Sequence, residues 1–113
     1  FTQDRHPRTM VGMTPAGEVL LVTADGRGAS AGLSLIEAAR LMADLGAVDA
    51  MNLDGGGSTT FVTGGVVRNA PSDGRERPVA SSLAVLAIPP ADPLTALLTD
   101  VANALTTLLQ PAA

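Results

Sequence analysis

The sequence contains no cysteine, no tryptophan and no tyrosine, and aromatic residues make up only 2% of its 113 residues. Disulfide bonds and zinc sites with thiolate ligands are therefore excluded. The hydrophobic core must consist of aliphatic side chains and methionine, because Phe1 and Phe61 are the only aromatic residues. The same two residues are the only candidates for stacking on a sugar ring, so the sequence offers few aromatic side chains to a sugar-binding site.

The charge balance is acidic, and long apolar runs are absent. Seven basic and eleven acidic residues give a formal net charge of −4, which argues against a nucleic-acid-binding protein, since such proteins usually present a basic face. A single phosphate could still bind, because two or three arginines are enough for that. No stretch of about 18 apolar residues occurs, so we predict no membrane span. The chain begins with polar residues and without an initiator methionine, and we interpret it as shortened or processed.

Short apolar segments bounded by glycine and proline predict a sheet that contains two hairpins. Pro15-Ala16-Gly17 is a turn sequence typical of a β-hairpin, and Gly64-Gly65 indicates a second one. The predicted strands cover residues 9–14, 18–23, 48–53, 59–63, 66–67 and 82–88. We expect the third of these, a short apolar run, to be buried.

Apolar periodicity predicts a helix over residues 34–45. Ser34 can serve as its N-cap, and Glu37 three residues later completes the pattern of a capping box. Gly46 follows as the residue expected just beyond the helix. Taken together, the elements predict an α+β fold with a mixed or antiparallel sheet and a covering helix.

A second helix is predicted over residues 92–109, with Asp92 as its cap and Pro93 at its first position. Its polar face carries no lysine or arginine, which argues against a helix that lies on a membrane surface. We expect the apolar stripe to pack on the domain or on a neighbouring subunit, so a homo-oligomer is possible. The stripe consists of Leu94, Leu97, Leu98, Val101, Leu105, Leu108 and Leu109.

The strongest candidate for a binding loop runs from Asn52 to Thr59 and reads Asn-Leu-Asp-Gly-Gly-Gly-Ser-Thr. Three consecutive glycines are entropically costly, which is understandable where a ligand approaches the backbone closely. Their N–H groups can point into one concavity and bind a phosphate or a developing oxyanion. A tight turn beside a sheet edge explains the same sequence. The Gly-Lys-Ser/Thr sequence of nucleotide-binding phosphate loops is missing.

Three further polar clusters could take part in chemistry. Residues 71–78 include Arg77, whose guanidinium can bind phosphate oxygens in a bidentate way. Asp73 or Glu76 could act as an acid or base. A solvated polar loop is the simpler explanation of this composition. The segments 6–9 and 25–27 are equally ambiguous by themselves. The first is also explained as a surface segment, and the second as a turn that ends a strand.

In their order and spacing, these motifs resemble the phosphodiester glycosidase family. The resemblance extends from Arg8 to about Leu86, and it is specific because the glycine-rich stretch and the downstream Pro-Ser-Asp occur together. The motifs that carry it are Arg8-Thr9, Val11-Gly12, Asp25-Gly26-Arg27, Ala31-Gly32-Leu33-Ser34-Leu35, Asn52 to Thr59, Pro71-Ser72-Asp73-Gly74 and Arg77-Pro78-Val79.

The resemblance also implies a domain organisation. Family members usually carry a long further stretch before the Arg-Thr segment, within the same domain. We therefore expect residues 1–88 to be the C-terminal part of a phosphodiester glycosidase domain, completed by an N-terminal half in the same or a separate chain. Residues 89–113 would be a proline linker followed by the C-terminal amphipathic helix.

The activity that the resemblance implies is hydrolysis of a sugar-1-phosphodiester to the free sugar and a phosphomonoester. It suggests Asp54 and Asp73 as catalytic residues, with no cofactor and no metal site, in a protein exported to the bacterial cell envelope or the exterior. Asp54 could instead bind sugar hydroxyls or a cation. The expected substrate-binding residues are Arg8, Thr9, Asn52, Gly55, Gly56, Gly57, Ser58, Thr59, Ser72 and Arg77.

Three other functions are compatible with the same residues. A non-catalytic cell-envelope module would use the pocket to hold a phosphorylated glycan. A glycosidase of another kind would act on a glycan without phosphate. A structural or assembly protein would use the helix over residues 92–109 to contact a partner chain.

Overall fold

The computed structural model describes residues 3–89 and 92–109, and the chain divides into two compact units, Phe1–Ala80 and Ser81–Ala113. The first unit contains five strands and one helix, and the second contains one helix. The elements are β1 (Arg8–Met13), β2 (Val19–Ala24), α1 (Leu35–Asp44), β3 (Asp49–Asn52), β4 (Val62–Thr63), β5 (Val66–Val67) and α2 (Pro93–Leu109).

A three-stranded antiparallel sheet organises the first unit. Its strand order is β2-β1-β3, with Arg8 opposite Ala24 and Met10 opposite Asn52. The predicted hairpin turn is present, and Gly17 has a φ of +83° that a residue with a side chain rarely adopts. The α+β prediction is confirmed, with an antiparallel sheet.

The core lies between β1 and α1. Met10, Ala38 and Met42 are buried, and partly buried apolar residues pack around them. The predicted capping box of α1 is confirmed, because the Ser34 hydroxyl accepts from the N–H of Glu37 at 3.2 Å and the Glu37 carboxylate accepts from the N–H of Ser34 at 2.9 Å. The partly buried residues are Leu20, Val22, Leu33, Leu41 and Ala47.

The prediction that the third strand is buried is wrong. All four residues of β3 are exposed, and Val48 and Met51 are 63% and 60% exposed. The reason is its place at the edge of the sheet, where β1 is the one strand of the described residues that pairs with β3. Apolar composition alone therefore did not decide its position.

The predicted strand over residues 82–88 is also wrong, because this segment has no regular secondary structure. Val85 and Ile88 are 76% and 91% exposed. A strand needs a row of N–H and C=O groups on a neighbour, and no strand of the described residues pairs with this segment. By contrast, the second predicted hairpin is present as β4 and β5, with Gly64 and Gly65 both at positive φ.

Helix α2 begins as the sequence predicts. Asp92 accepts from the N–H of Thr95 at 2.8 Å, and this hydrogen bond is the main cause that lowers the pKa of the Asp92 carboxyl. None of the described side chains of α2 is buried, and its leucines are among the exposed apolar residues. Across residues 3–89 and 92–109, no helix combines the length and hydropathy needed to cross a bilayer.

The capping box of α1 predicts a loss of stability in acid. The Ser34 N–H, followed by the Ser34 hydroxyl and the Arg5 guanidinium, lowers the pKa of Glu37 below its ordinary value of 4.5, against an opposing effect of desolvation. Because the folded-state pKa is the lower one, the stabilisation is present above pH 4.5 and is lost as the pH falls through the lowered value.

Glu37→Gln should therefore be less stable than the wild type near neutral pH, with a difference that shrinks in acid. Urea midpoints of both proteins, followed by circular dichroism across this pH range, measure the difference. Glu76→Gln, in an exposed loop, is the matched control and should show little difference at any pH. A Glu37→Gln difference that stays constant as the pH falls would contradict the prediction.

Candidate active site

The backbone of His6 and Pro7 forms the floor of the candidate site, and three glycines lie against it. A Cβ atom on Gly55 would be 2.6 Å from the Pro7 carbonyl oxygen, and one on Gly32 would be 2.6 Å from that of His6. One on Gly26 would be 2.9 Å from the Pro7 nitrogen. Contacts this short leave no room for a side chain. The glycines thus allow three separate segments to meet at one place.

The glycine-rich stretch leaves β3 and turns immediately. The N–H of Leu53 donates to the Thr9 carbonyl at 2.8 Å, and that of Gly56 donates to the Pro7 carbonyl at 3.0 Å. Residues Gly56–Ser58 then form one turn of 3₁₀ helix, which we call the glycine loop together with Gly55. Thr59, only 1% exposed, follows the loop and bonds to Thr9 through their hydroxyls at 3.3 Å. The loop is therefore fixed at both ends.

Two guanidinium groups lie against the glycine loop. A Cβ on Gly56 would be 3.2 and 3.3 Å from the two terminal nitrogens of Arg27. A Cβ on Gly57 would collide with the carboxylate of Asp73 and the guanidinium of Arg77. Asp73 and Arg77 form an ion pair of 2.6 Å between Oδ2 and Nη2, with Nε donating to the same oxygen at 2.9 Å. The structure thus brings residues 71–78 onto the glycine loop.

The loop over residues 71–78 is attached to the domain through Asn69, which sequence reasoning missed. Asn69 Nδ2 donates to Asp25 Oδ1 at 2.9 Å and to the Thr59 carbonyl at 3.0 Å, while its Oδ1 accepts from the N–H of Phe61 at 2.8 Å. Asp25 Oδ2 also accepts from the N–H of Ala70 at 3.0 Å. An asparagine directly after a hairpin was the available signal.

A cleft of about 210 Å³ lies between residues 25–30 and the segment 70–74. Arg27 and Ser72 both border it. The hydroxyl oxygen of Ser72 is buried and has no hydrogen-bond partner among the described residues. Buried polar atoms usually find a partner, so the Ser72 hydroxyl is available to a ligand or a water molecule.

Arg8 occupies a different place from the other predicted site residues. It is 3% exposed, and it donates from Nε to the Leu33 carbonyl at 2.9 Å and from Nη2 to the Asp4 carbonyl at 3.0 Å. These bonds tie β1 to the segments before it and before α1. The guanidinium of Arg8 thus donates hydrogen bonds to backbone carbonyls in the protein interior.

The remaining predicted residues lie at the end of β3 and are exposed. Asp54 accepts from the N–H of Gly55 at 2.9 Å through Oδ1, and Asn52 donates to the Leu53 carbonyl at 2.8 Å. Ser58 is half-buried within the glycine loop. Within residues 3–89 and 92–109, no group of three or more histidine and acidic side chains is placed to hold a metal ion.

The arrangement places two guanidiniums against one loop, which suits an anionic substrate. A family model described as phosphodiester glycosidase matches residues 1–86. The chain belongs to the phosphodiester glycosidase family, and the resemblance drawn from the sequence is confirmed.

Curated relatives include N-acetylglucosamine-1-phosphodiester alpha-N-acetylglucosaminidase from Mus musculus, 46% identical over 65% of this chain and 14% of that protein. The Homo sapiens protein of the same name is 42% identical over 58% of this chain and 13% of its own length. The SPbeta prophage-derived protein YomE of Bacillus subtilis is 35% identical over 72% of this chain and 13% of that protein. This chain therefore spans only a small part of these relatives.

Two solved structures are similar to this chain. A Burkholderia pseudomallei K96243 protein described as exported is 49% identical with a TM-score of 0.59, covering 61% of this chain and 14% of that one. The zebrafish N-acetylglucosamine-1-phosphodiester alpha-N-acetylglucosaminidase catalytic domain, auto-inhibited by its pro-peptide, is 35% identical with a TM-score of 0.59. The matched part is 63% of this chain and 23% of the zebrafish chain.

Close packing of the glycine loop on Pro7 predicts that Gly55→Ala is destabilising. The added Cβ would lie 2.6 Å from a backbone oxygen, which cannot move without displacing β1. We expect a loss of about 1–3 kcal/mol in the free energy of unfolding, measured by urea denaturation. Gly28→Ala is the control, because its Cβ meets nothing within 4 Å. Equal stability of the two variants would contradict the packing argument.

Proposed function

We propose that the chain is part of a hydrolase that cleaves a sugar-1-phosphodiester into the free sugar and a phosphomonoester. The observation that carries the proposal is the contact of Gly57 with the Asp73–Arg77 ion pair, in a chain of the phosphodiester glycosidase family. That contact places a guanidinium beside the glycine loop. A guanidinium favours a bound phosphate. The activities named for the relatives support the same substrate class.

In this proposal, Arg77 binds the phosphate, and the glycine loop lets the phosphate approach the backbone closely. Ser58 and Ser72 add hydroxyl donors, and Asn52 contacts the sugar or the phosphate from the end of β3. Thr9 and Thr59 support the loop through their mutual hydrogen bond. Arg8 takes a positioning role, because its described hydrogen bonds go to backbone carbonyls.

The proposed reaction breaks the bond between the anomeric carbon and the phosphate oxygen. The phosphomonoester leaves with the bonding electron pair, and the oxygen of a water molecule becomes the new hydroxyl on the sugar. A carboxylate accepts the proton of that water or forms a transient bond to the sugar. Asp54 is our first candidate for this carboxylate and Asp73 the second. A partner carboxyl group would come from the part of the family fold outside this chain.

We also propose export from the cell to its envelope or surroundings. Support comes from the Burkholderia pseudomallei relative, which is described as exported. We further propose that an N-terminal half completes the domain and that partner subunits contact the chain. Fractionation of the source cells, with detection by an antibody to this chain, would test the location.

Asp54→Asn is expected to lower turnover of an N-acetylglucosamine-1-phosphodiester by about 100-fold or more, because the amide cannot accept a proton or attack the sugar. The assay measures released sugar, with the natural polypeptide that contains this chain and with the chain alone. Asp44→Asn, at the exposed end of α1, is the control and should retain full rate. Full turnover by Asp54→Asn would remove Asp54 from the chemistry.

Gly57→Ala tests the contact that carries the proposal. Its Cβ would displace the flexible ends of Asp73 and Arg77, and misplaced binding groups reduce turnover by roughly tenfold to 100-fold. Stability should change by less than about 1 kcal/mol, because the pair is partly exposed. The same assay with Asp44→Asn should show wild-type turnover.

The outcomes also separate the alternative functions. Saturable binding of glycosyl phosphates without turnover would favour a non-catalytic binding module. Hydrolysis of an aryl glycoside, but not of a glycosyl phosphodiester, would favour a glycosidase for glycans without phosphate.

A further inference from the structure

Arg27 has a strained backbone conformation at the edge of the glycine loop. Its φ angle is +61°, and no other non-glycine residue in the described part of the chain has a positive φ. Glycine adopts this conformation without the steric cost that a side chain causes. Strain of this kind persists at sites where a particular side chain is required. The conformation therefore points to a use for the guanidinium of Arg27.

The guanidinium of Arg27 is held on the loop surface. Both terminal nitrogens lie against Gly56, and Nη2 is 3.1 Å from Nδ1 of His6. The residue as a whole is exposed and borders the 210 Å³ cleft that Ser72 also lines. The guanidinium of Arg27 is thus in contact with both His6 and the glycine loop.

Arg27 also supplies charge that Arg77 and Arg8 do not. The positive charge of Arg77 is balanced by Asp73 in their ion pair, and Arg8 is buried on backbone carbonyls. Among the described residues, Arg27 forms no ion pair with a carboxylate. The nearby Asp25 carboxylate accepts N–H bonds from Asn69 and Ala70, which hold it in the adjoining loop.

We propose that Arg27 binds the phosphate of the substrate, beside Arg77 and in the role first expected of Arg8. This inference rests on the proposed function and adds a second phosphate-contacting guanidinium to it. Arg27 lies against Gly56 and Arg77 against Gly57, the next residue of the loop. A phosphodiester monoanion then receives one uncompensated positive charge.

Calorimetric titration of the natural polypeptide with inorganic phosphate and with an N-acetylglucosamine-1-phosphodiester tests this role. Arg27→Gln should weaken binding of both probes by about tenfold or more, because a charge-assisted hydrogen bond is lost. Arg40→Gln removes one positive charge from the exposed side of α1 and should leave both affinities within about twofold. Binding of neutral N-acetylglucosamine should be unchanged in either variant.

Arg27→Gly separates phosphate binding from a structural role. Glycine relieves the positive φ, so the melting temperature should stay the same or rise, while phosphate affinity falls as in Arg27→Gln. A lowered melting temperature with unchanged phosphate affinity would assign Arg27 a structural role and overturn the proposal. So would the absence of phosphate binding by the wild type.

Hydrolysis and binding can fail separately. Turnover of the phosphodiester with full phosphate affinity in Arg27→Gln would leave the proposed function standing and overturn the role of Arg27. Phosphate binding that depends on Arg27, without turnover of any glycosyl phosphodiester by the wild type, would support the role of Arg27 and overturn the proposed hydrolysis.

Discussion

The short backbone contacts around His6 and Pro7 are the constraint on which the candidate site depends. Three glycines from distant parts of the sequence lie against this dipeptide, at distances that exclude any side chain. Backbone atoms cannot rotate away as a side chain can, so only glycine fits at these three positions. The hydrogen bond from Gly56 to the Pro7 carbonyl then fixes the position of the glycine loop. All other contacts of the site follow from that placement.

Polar residues around the loop divide into two groups according to their surroundings. Arg8, Asp25 and Asn69 direct their described hydrogen bonds largely to backbone groups and to one another. Buried polar groups need such partners, because an unpaired one would destabilise the fold. Arg27 and Asp54 are exposed and carry few described bonds. The side chains of the first group hold the loops in place. Those of the second group can bind a ligand without breaking hydrogen bonds that stabilise the fold.

Features that depend on neighbours in sequence could be predicted, whereas those that depend on distant contacts could not. The capping box at Ser34 and the turns at Gly17 and Gly64 each need only a few adjacent residues. The exposure of β3 and the absence of a strand over residues 82–88 depend on what packs beside them. Likewise, the sequence could not show that Arg8 is buried and Arg27 exposed, because burial depends on distant contacts.

The surroundings of the two candidate carboxylates favour different roles for them. Asp73 accepts two N–H groups of Arg77 on a single oxygen, and this pair packs on Gly57. A carboxylate held by a guanidinium is well placed to orient that guanidinium toward a phosphate. Asp54 is exposed, and its described hydrogen bond uses only Oδ1. Its second oxygen is therefore available to water or sugar, which is the geometric reason for ranking Asp54 first as the group that reacts.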